Sequence, residues 1–498
     1  MKKKRILHFV IFWLIFLLLF QGFSRLFIPK WNDIPGIPGT RTEDFYSQKK
    51  NTMDAMFFGS SFVYYSISPL PIWDNYGITS YSFGNPGQRI WTSYYYMEEA
   101  FKYQKPKVVF YEVGTSYMEE QAKETWNRQN LDYLPLSLTK LNAIKAIRKG
   151  TKETIASYLL PGLRYHDRWK ELTENDFDRS LDTGYYGKGS LMRFGAKPAK
   201  RKDIDRWMMN TGEKLQFPKN NEKYLDKMKK LCEKNGAELV LLRLPNVYWT
   251  QNLHDMMQET ADKKGLTFID YNTIPKAYGL DWKTDTTDKG DHMNVVGNEK
   301  VSNYLGQYMK DHYGLEDKRN RREYASWVEN SQKFRVIYEK NRIANIVQIN
   351  EYLTKIREHC YTAVITVKGD ATRYLREDTK EILRSMGVSE GMMTNKEAGY
   401  IGILDSGKIV DQKEGYELLE YKNMVGEIKV EAKSGGRLFG NQALTRIDGE
   451  EYAPDNTGIN IVVYDKDLKR VADSVSFNTA KRENKIARRL QNNANDEF

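Results

Sequence analysis

The sequence predicts an α/β domain over its first two thirds, a mostly-β domain after it, and one membrane-spanning helix in front of both. Short apolar segments alternate with amphipathic helices before residue 313. Hairpin-like segments follow residue 341, and a long apolar run begins at Ile6 behind a basic tip. At roughly 100–200 residues per domain, a chain of 498 residues has room for two or three folded units.

Composition and charge exclude several classes of protein. The chain is 40% hydrophobic and 13% aromatic, which excludes wholesale disorder. Its two cysteines exclude a disulfide-rich scaffold, a four-cysteine zinc site and an iron–sulfur cluster. The mean hydropathy of −0.68 excludes a polytopic membrane protein. The net charge of +11 is spread along the chain and no nucleotide-binding motif is present, so no nucleic-acid partner is expected.

Residues 1–28 are predicted to form a basic cytoplasmic tip and a membrane anchor. The run Ile6–Phe20 is apolar except for His8, and extending it to Phe23 gives about 18 residues, near the lower limit for a membrane span. No small-residue cleavage site follows, which favours a retained anchor over a cleaved signal peptide. The positive-inside rule places the N-terminus in the cytoplasm. We therefore expect a single-pass protein of the cell membrane whose bulk is extracellular.

Residues 29–51 are rich in proline and glycine and are predicted to be a linker. A domain over 52–313 follows, with a charged helical insertion at 118–215 that has no clear strand. Strands that are apolar on both faces and alternate with helices predict a parallel sheet with helices on both sides. The predicted strands are Ala55–Phe58, Lys107–Val113, Glu238–Leu244 and Thr267–Asp270, and the predicted helices are Ile90–Tyr103, one that starts at Glu222, and Asn298–His312.

The pattern of predicted elements changes after a predicted helical linker at 314–340. Residues 341–480 are predicted to form a mostly-β, α+β domain, and 481–498 a polar tail. Tyr400–Leu404 is expected to turn at 405–407 into Lys408–Val410 as a hairpin. The other predicted elements are the strands Tyr361–Val367, Glu427–Glu431, Ile459–Tyr464 and Val471–Phe477 and the helix Arg373–Met386.

Small and polar residues follow the predicted parallel strands, where open α/β sheets place their sites. A serine nucleophile needs a base, and a histidine base needs a carboxylate that holds its tautomer. Of six histidines, only His292 lies in a loop with two carboxylates just before a helix. Each segment alone also fits a structural role, as a tight turn or a capped loop. The polar segments are Gly59–Ser61, Ser82–Gln88, Gly114–Ser116 and Asp285–Gly297.

Taken in order, these segments resemble the SGNH/GDSL hydrolase superfamily. Gly59-Ser60-Ser61 corresponds to the Gly-Asp-Ser block and makes Ser61 the nucleophile. Gly87 matches the glycine that lends an oxyanion N–H. The last block, Asp-x-x-His, corresponds to Asp288 and His292, although three residues intervene rather than two. Asp288 is preferred to Asp291, because a side chain adjacent to the histidine usually points elsewhere.

The resemblance has one departure and covers about residues 52–313. The third block usually reads Gly-x-Asn-Asp, but Gly114-Thr-Ser116-Tyr117 has no asparagine, so Ser116 is the expected substitute donor, with Asn85 as a further substrate-binding candidate. The nearest branch contains the teichoic-acid D-alanine-transfer and alginate acetylation proteins. The resemblance implies a flavodoxin-like parallel-sheet sandwich that uses neither a metal nor a cofactor.

The second domain resembles the interleukin-like EMT inducer domain. Gly458-Ile-Asn-Ile-Val-Val-Tyr-Asp465 matches its Gly-x-Asn-x-Val-Val-x-Asp motif, and Phe477-Asn-Thr479 follows where Phe-Asp-Thr is usual. Ser434-Gly-Gly436 fits the start of that family. The range 361–410 resembles its other half and comes first here, so the order is circularly permuted. The domain is expected to bind carbohydrate or act as a spacer, and a purely structural role stays open.

The sequence therefore predicts a membrane-anchored extracellular serine esterase or O-acyltransferase that acts on a cell-surface polysaccharide or teichoic-acid-like polymer. Water as the acceptor makes an esterase, and a sugar hydroxyl makes a transferase of acetyl groups. A membrane-bound acyltransferase is an expected partner. The alternative is a non-catalytic glycan-binding or accessory protein, favoured by the missing third-block asparagine. The segment 165–169 is a candidate groove lining, with a structural role as the other interpretation.

Overall fold

The computed structural model describes residues 2–29, 41–177, 187–359, 361–466, 469–482 and 486–488. The chain divides into two compact units. The first contains residues 1–193 and 197–335, and the second contains residues 194–196 and 336–498.

The first unit is built on a five-stranded parallel sheet, as predicted for an α/β domain. Its strand order is β2-β1-β3-β4-β5, so the chain reverses direction across the sheet between β1 and β3. Every residue of β1, β2 and β3 is buried, as expected for a sheet covered on both faces. The strands are β1 (Ala55–Gly59), β2 (Ser80–Gly84), β3 (Val108–Glu112), β4 (Glu238–Arg243) and β5 (Thr267–Asp270).

Helices pack on both faces of this sheet. On one face, Phe57 and Phe110 pack with Ile72 and Val301 from two of the helices. Helix α12 places Met228 and other apolar side chains of its buried stripe toward α5 and β4. The helices are α1 (Lys2–Leu26), α2 (Arg41–Ser47), α3 (Ser61–Ser66), α4 (Pro69–Tyr76), α5 (Ile90–Ala100), α6 (Glu124–Leu131), α7 (Leu138–Ile147), α8 (Ile155–Leu159), α9 (Gly162–Tyr165), α10 (Glu174–Phe177), α11 (Arg201–Ile204), α12 (Lys219–Lys234), α13 (Gln251–Lys264), α14 (Val295–Tyr313) and α15 (Ala325–Asn341), with 3₁₀ turns at His166–Lys170, Tyr271–Thr273 and Arg322–Tyr324.

The structure agrees with one prediction for this part of the chain, contradicts another in part, and contains one strand that was not predicted. The insertion at 118–215 is helical and has no strand among its described residues. The linker prediction for 29–51 is wrong for α2, because Arg41 and Phe45 of that helix are buried against β2; residues 30–40 lie outside the described residues. Strand β2 was not predicted: its Ser-Tyr-Ser-Phe-Gly sequence alternates polar and aromatic residues as a strand does, but its second half was assigned to the polar segment Ser82–Gln88.

Helix α1 is long and apolar enough to cross a membrane. The apolar stretch Lys4–Ser24 has 21 residues and a mean hydropathy of 2.4, and Ser24 at its end is buried. Its side chains from Ile6 to Phe16 are exposed, which is the pattern of a helix that packs against something other than this chain.

The second unit contains two antiparallel sheets, as the mostly-β prediction requires. The six-stranded sheet has the order β15-β14-β13-β6-β7-β8, and the four-stranded sheet has the order β12-β11-β10-β9. The predicted hairpin at 405–407 joins β7 to β8. The strands are β6 (Tyr361–Lys368), β7 (Gly399–Asp405), β8 (Lys408–Gly415), β9 (Leu419–Val425), β10 (Ile428–Ser434), β11 (Ala443–Ile447), β12 (Glu450–Glu451), β13 (Gly458–Asp465), β14 (Arg470–Phe477) and β15 (Ile486–Arg488).

Two cores hold this unit together in three layers. Val364 and Val462 face the four-stranded sheet, where they pack with Val430. The opposite face of β6 packs Ile365 against helical residues such as Leu353. Strand β15 forms within the predicted polar tail at 481–498, which corrects that prediction for three residues. The helices are α16 (Ile349–Glu358), α17 (Glu377–Met386) and α18 (Glu390–Thr394), preceded by a 3₁₀ turn at Arg342–Asn345.

Candidate active site

Ser61 is the first residue of α3 and follows β1 across a tight turn. Gly59 has φ +154°, and a Cβ placed there would lie 2.8 Å from Cβ of Glu112 and 2.9 Å from Cγ2 of Val63. Any other residue would collide with the neighbouring strand and with the helix itself. The glycine therefore allows α3 to start at once beyond the carboxyl end of β1, and Ser61 is presented at that edge of the sheet.

His292 and Asp288 come from the loop before α14 and complete a chain of hydrogen bonds with Ser61. The Ser61 Oγ lies 2.8 Å from Nε2 of His292, and Nδ1 of His292 lies 2.6 Å from Oδ2 of Asp288. Oδ1 of Asp288 accepts the His292 backbone N–H at 2.7 Å. Asn294 caps α14 by accepting from the N–H groups of Val296 and Gly297. The cap fixes where the helix begins, three residues after the histidine.

The electrostatics of the loop set the tautomer of His292. Burial alone would raise the pKa of Asp288, but its bonds to His292 lower that pKa overall, so the carboxylate is ionised near neutral pH. An ionised carboxylate only accepts hydrogen bonds, so Nδ1 of His292 donates and Nε2 accepts from the Ser61 hydroxyl. Burial would lower the pKa of His292, and the hydrogen bond and charge of Asp288 raise it overall, against an opposing contribution from Arg193.

Asp291 lies beside the pair without replacing Asp288. Its Oδ2 is 3.5 Å from Nδ1 of His292, compared with 2.6 Å for Asp288. The ligand atoms of these three residues lie within 4.8 Å of one another, close enough for a metal ion. Both ring nitrogens of His292 already hydrogen-bond within the chain, so a bound cation would displace either Ser61 or Asp288 from the ring.

Gly87 lies on the loop after β2, in a conformation that only glycine adopts easily there. Its φ is +55°, and an added Cβ would be 2.1 Å from the Trp126 ring. Within the described residues, no acceptor hydrogen-bonds to the N–H of Gly87 or of Ser61. Both N–H groups are therefore available to an external acceptor, which is one requirement of an oxyanion hole.

Asn85 and Ser116 are used inside the protein rather than at the cleft. Nδ2 of the buried Asn85 donates to the Tyr96 hydroxyl at 3.0 Å, and its Oδ1 accepts from Arg41 at 3.4 Å. Ser116 is fully buried and donates to the Val113 carbonyl at 2.7 Å. The prediction that Ser116 supplies the missing oxyanion donor is therefore wrong, because its short side chain folds back onto its own loop.

Thr115, which was not a candidate from the sequence, connects the segment Gly114–Ser116 to the loop that contains Gly87. Its hydroxyl donates to the Gln88 carbonyl at 2.7 Å, directly after Gly87. Asn221 on α12 holds the same segment by donating to the carbonyls of Ser116 and Met118 at 2.8 and 2.9 Å. The third block therefore acts on the site through the backbone of the second block.

Two aromatic side chains of α3 enclose the His292 ring. The Phe62 ring stacks on it at 5.1 Å, and the Tyr65 ring meets it edge-on at 4.9 Å. Arg193, from the end of the predicted insertion, donates through Nε and Nη2 to the Tyr65 hydroxyl at 3.2 and 2.7 Å. Phe62 and Tyr65 are three residues apart, a spacing that places both on one face of a helix and can be read from the sequence. No local pattern indicates the contact with Arg193.

A buried ion pair lies beneath Phe62. Nη1 of Arg243 donates to Oε1 of Glu112 at 2.6 Å, and that same oxygen accepts from the Gly114 N–H at 3.0 Å. The guanidinium lies 4.4 Å from the centre of the Phe62 ring. Burial raises the pKa of Glu112, while Arg243 opposes the rise. A single charge near the end of each of two apolar strands is the signal that could have predicted this pair.

The remaining candidate, the segment 165–169, contacts both the insertion and the end of α1. The Tyr165 hydroxyl donates to Oδ2 of the buried Asp132 at 2.8 Å, which supports the structural interpretation for that residue. His166 and Asp167 are exposed.

No protein-family model matches the chain. No curated protein matches it either.

Proposed function

We propose that the chain is a serine esterase or O-acyltransferase that works through an acyl-enzyme on Ser61. The observation that carries the proposal is the hydrogen-bonded chain from Ser61 through His292 to Asp288, with distances of 2.8 and 2.6 Å. Ser61 and His292 are both half-buried, so a substrate can reach the reacting atoms. The site lies at the switch point of the sheet, between β1 and β3, where open α/β folds bind their ligands.

The residues of the site can carry out each step of acyl transfer. Ser61 Oγ attacks the acyl carbon while its proton passes to Nε2 of His292. The N–H groups of Ser61 and Gly87 hold the negative oxygen of the tetrahedral intermediate. His292 then gives its proton to the leaving alcohol, and the acyl group remains on Ser61. In the second half, His292 takes a proton from the acceptor hydroxyl, the acyl group passes from Ser61 to that oxygen, and His292 returns the proton to Ser61 Oγ.

The fold and the order of the site segments support an SGNH-like assignment over about residues 52–313. The strand order 2-1-3-4-5 is the flavodoxin-like doubly wound order. Ser61 follows the first strand and Gly87 follows the second, as the resemblance implies. His292 precedes α14, the last helix of residues 52–313. The missing third-block asparagine remains a departure from that family.

Membrane attachment and charge suggest where the reaction takes place. We assign α1 as a single membrane span with the N-terminus in the cytoplasm and both units outside, because the basic residues precede the apolar window. A net charge of +11 favours approach to anionic polymers through long-range attraction. A cell-surface polysaccharide or teichoic-acid-like polymer is the proposed substrate, and acetyl the proposed group. A membrane-bound acyltransferase would supply the donor, and the second unit would bind glycan or act as a spacer.

A non-catalytic glycan-binding or accessory role is the second candidate. The observation in its favour is the orientation of Ser116, whose buried hydroxyl leaves the oxyanion hole with backbone donors alone. Such a protein would keep the Ser61–His292–Asp288 contacts without turnover.

Hydrolysis of p-nitrophenyl acetate by the detergent-solubilised full chain tests the two candidates. We expect a burst of p-nitrophenol and a gain of one acetyl group in the intact mass, both abolished by Ser61→Ala. Ser60→Ala is the matched control, because the neighbouring Ser60 hydroxyl is buried and has no hydrogen-bond partner among the described residues. Equal turnover by wild type and Ser61→Ala, or no labelling of wild type by a fluorophosphonate probe, would refute the enzyme assignment and favour the accessory role.

A further inference from the structure

Three large apolar side chains are exposed on one short stretch of the helical insertion. Leu163 is 52% exposed, Trp169 is 62% exposed and Phe177 is 58% exposed. They belong to α9, the 3₁₀ turn at 166–170 and α10. Exposed apolar residues scattered singly need no explanation, but a group of them marks a surface that binds something apolar.

The same stretch holds the end of the membrane-spanning helix. The Gly162 Cα lies so close to Ser24 that an added Cβ would be 2.8 Å from its Oγ. Nη1 of Arg168 donates to the Phe27 carbonyl at 2.9 Å, and its Nη2 pairs with Asp176 at 2.9 Å. Each of the three exposed apolar residues directly follows one of the residues that make these contacts, namely Gly162, Arg168 and Asp176.

The length of the apolar window places this junction at the edge of a bilayer. At about 1.5 Å per residue, the 21 residues of Lys4–Ser24 span about 32 Å, which matches a hydrocarbon core of about 30 Å. Ser24 therefore marks the level at which the chain leaves the hydrocarbon. Because Gly162 touches Ser24, Leu163 lies at nearly the same level.

The chemistry of the stretch suits lipid headgroups. Tryptophan is favoured at membrane surfaces because its ring is apolar while its N–H can stay hydrated. Nζ of Lys170 lies 5.4 Å from the centre of the Trp169 ring, and a lysine can lay its apolar stem in the boundary layer while its charge stays among the headgroups. Arg164 pairs with Glu124 and Asp167 is exposed, so the apolar side chains rather than a net positive charge carry the affinity for lipid.

We propose that residues 162–177 form an interfacial surface, in which Leu163, Trp169 and Phe177 insert into the headgroup region of the bilayer that α1 crosses. The occupant is lipid. The proposal rests on the proposed membrane span and is independent of catalysis at Ser61. A single helix leaves a domain free to swivel, and a second attachment beside it fixes the orientation of the first unit. The catalytic edge would then be held at one height above the membrane.

Site-directed fluorescence quenching in the full chain tests the proposal. An environment-sensitive NBD label is placed by Trp169→Cys in a background of Cys232→Ala and Cys360→Ser, and the protein is reconstituted into vesicles of phosphatidylcholine and phosphatidylglycerol. Nitroxide lipids labelled high on the acyl chain should quench it on the order of twofold more than a label introduced by Met209→Cys, an exposed apolar position away from the stretch. Phe177→Cys gives a second reading.

A label introduced by Phe12→Cys separates the two ways in which the test can fail. Phe12 lies in the middle of the apolar window, so nitroxides deep in the acyl chains should quench it if α1 spans the bilayer. Quenching at position 12 with no more quenching at 169 and 177 than at 209 overturns the interfacial surface alone. No quenching at position 12 overturns the span and the proposal with it. Shielding of position 169 only in native membranes, and not in pure lipid, would overturn lipid as the occupant in favour of a membrane protein.

Discussion

Two histidine–aspartate pairs lie at the carboxyl ends of the parallel strands, one formed by His292 and the other by His254. Nδ1 of His292 is 2.6 Å from Asp288, and Nδ1 of His254 is 2.8 Å from Asp270. The pKa of each histidine is raised: the Asp270 hydrogen bond raises that of His254, and Asp288 outweighs burial at His292. Only His292 has a nucleophile at its Nε2; no described nucleophile hydrogen-bonds to Nε2 of His254.

The two aspartates differ as well. Asp270 is buried, and the Oδ2 that faces His254 also accepts from Nε1 of Trp249 at 2.8 Å. Its Oδ1 accepts from the backbone N–H of Asn272 at 2.8 Å. Within the part of the chain that the structure describes, Asp288 hydrogen-bonds only to its own loop, and it is partly open to solvent. A histidine–aspartate pair can therefore either stabilise the ends of strands or orient a base. The group that hydrogen-bonds to Nε2 of the histidine distinguishes the two roles.

The largest expected effect separates the two histidines. His292→Asn should lower kcat for p-nitrophenyl acetate by about 10⁴-fold or more, because the serine loses its base, while the melting temperature changes little. His254→Ala should leave kcat within about twofold and cost about 1–3 kcal/mol of stability, because Asp270 loses a buried hydrogen-bond donor. Turnover and thermal unfolding of both variants provide the measurement.

The pH dependence of unfolding tests whether the bond between His254 and Asp270 stabilises the fold. Because the folded-state pKa of His254 is raised, its contribution to stability is fully present below its usual pKa of about 6.5 and is lost as pH rises through the folded value. The stability difference between wild type and His254→Ala should therefore shrink on going from acid to alkaline pH. A difference that grows with pH would contradict the assignment.

The second expected effect compares the two carboxylates beside His292. Asp288→Asn should lower kcat by about 10³–10⁴-fold, because an amide no longer fixes the Nδ1–H tautomer. Asp291→Asn, whose carboxylate is 3.5 Å away, should lower it by less than about tenfold. Steady-state kinetics of the two variants side by side decide the matter, and equal losses would mean that the carboxylates share the role.

A smaller effect is expected in the oxyanion loop. Thr115→Val removes the hydroxyl that holds the Gln88 carbonyl, a loss of about 1 kcal/mol that should lower kcat by about fivefold and leave KM nearly unchanged. Ser116→Ala is the matched control, because its hydroxyl contacts Val113 away from the loop. Should Ser116→Ala reduce kcat more than Thr115→Val, the corrected role of Ser116 would have to be reversed.

The smallest effect concerns the pH profile. The base form of His292 must be neutral, so kcat/KM should rise with pH through a pKa above the usual value for histidine. The positive charge of Arg193 lowers that pKa, so Arg193→Gln should move the profile to higher pH. The measurement is the pH dependence of kcat/KM of wild type and Arg193→Gln at constant ionic strength. A shift to lower pH would show that the charge of Arg193 does not lower the pKa of His292 and that Arg193 affects the site only by positioning Tyr65.

The sequence predicted the parts of the molecule that have local signals. Gly59 before Ser61 and the carboxylates around His292 indicated the residues that the structure joins by hydrogen bonds, and apolar runs indicated four of the five parallel strands. The choice between Thr115 and Ser116 could not be made, because it depends on which hydroxyl the backbone turns inward. Arg193 could not be found either, since it meets Tyr65 from a position 128 residues away.

The serine and its base are 231 positions apart in the chain, and four strands of the sheet are made between them. Synthesis therefore delivers the nucleophile long before the base, and a growing chain that ends before the last loop carries an unactivated serine. The parallel pairings that bring the ends together are non-local and slow to form compared with local turns. The proposed acyl transfer would therefore require the pairing of Ser61 with His292, which a chain that ends before residue 292 lacks.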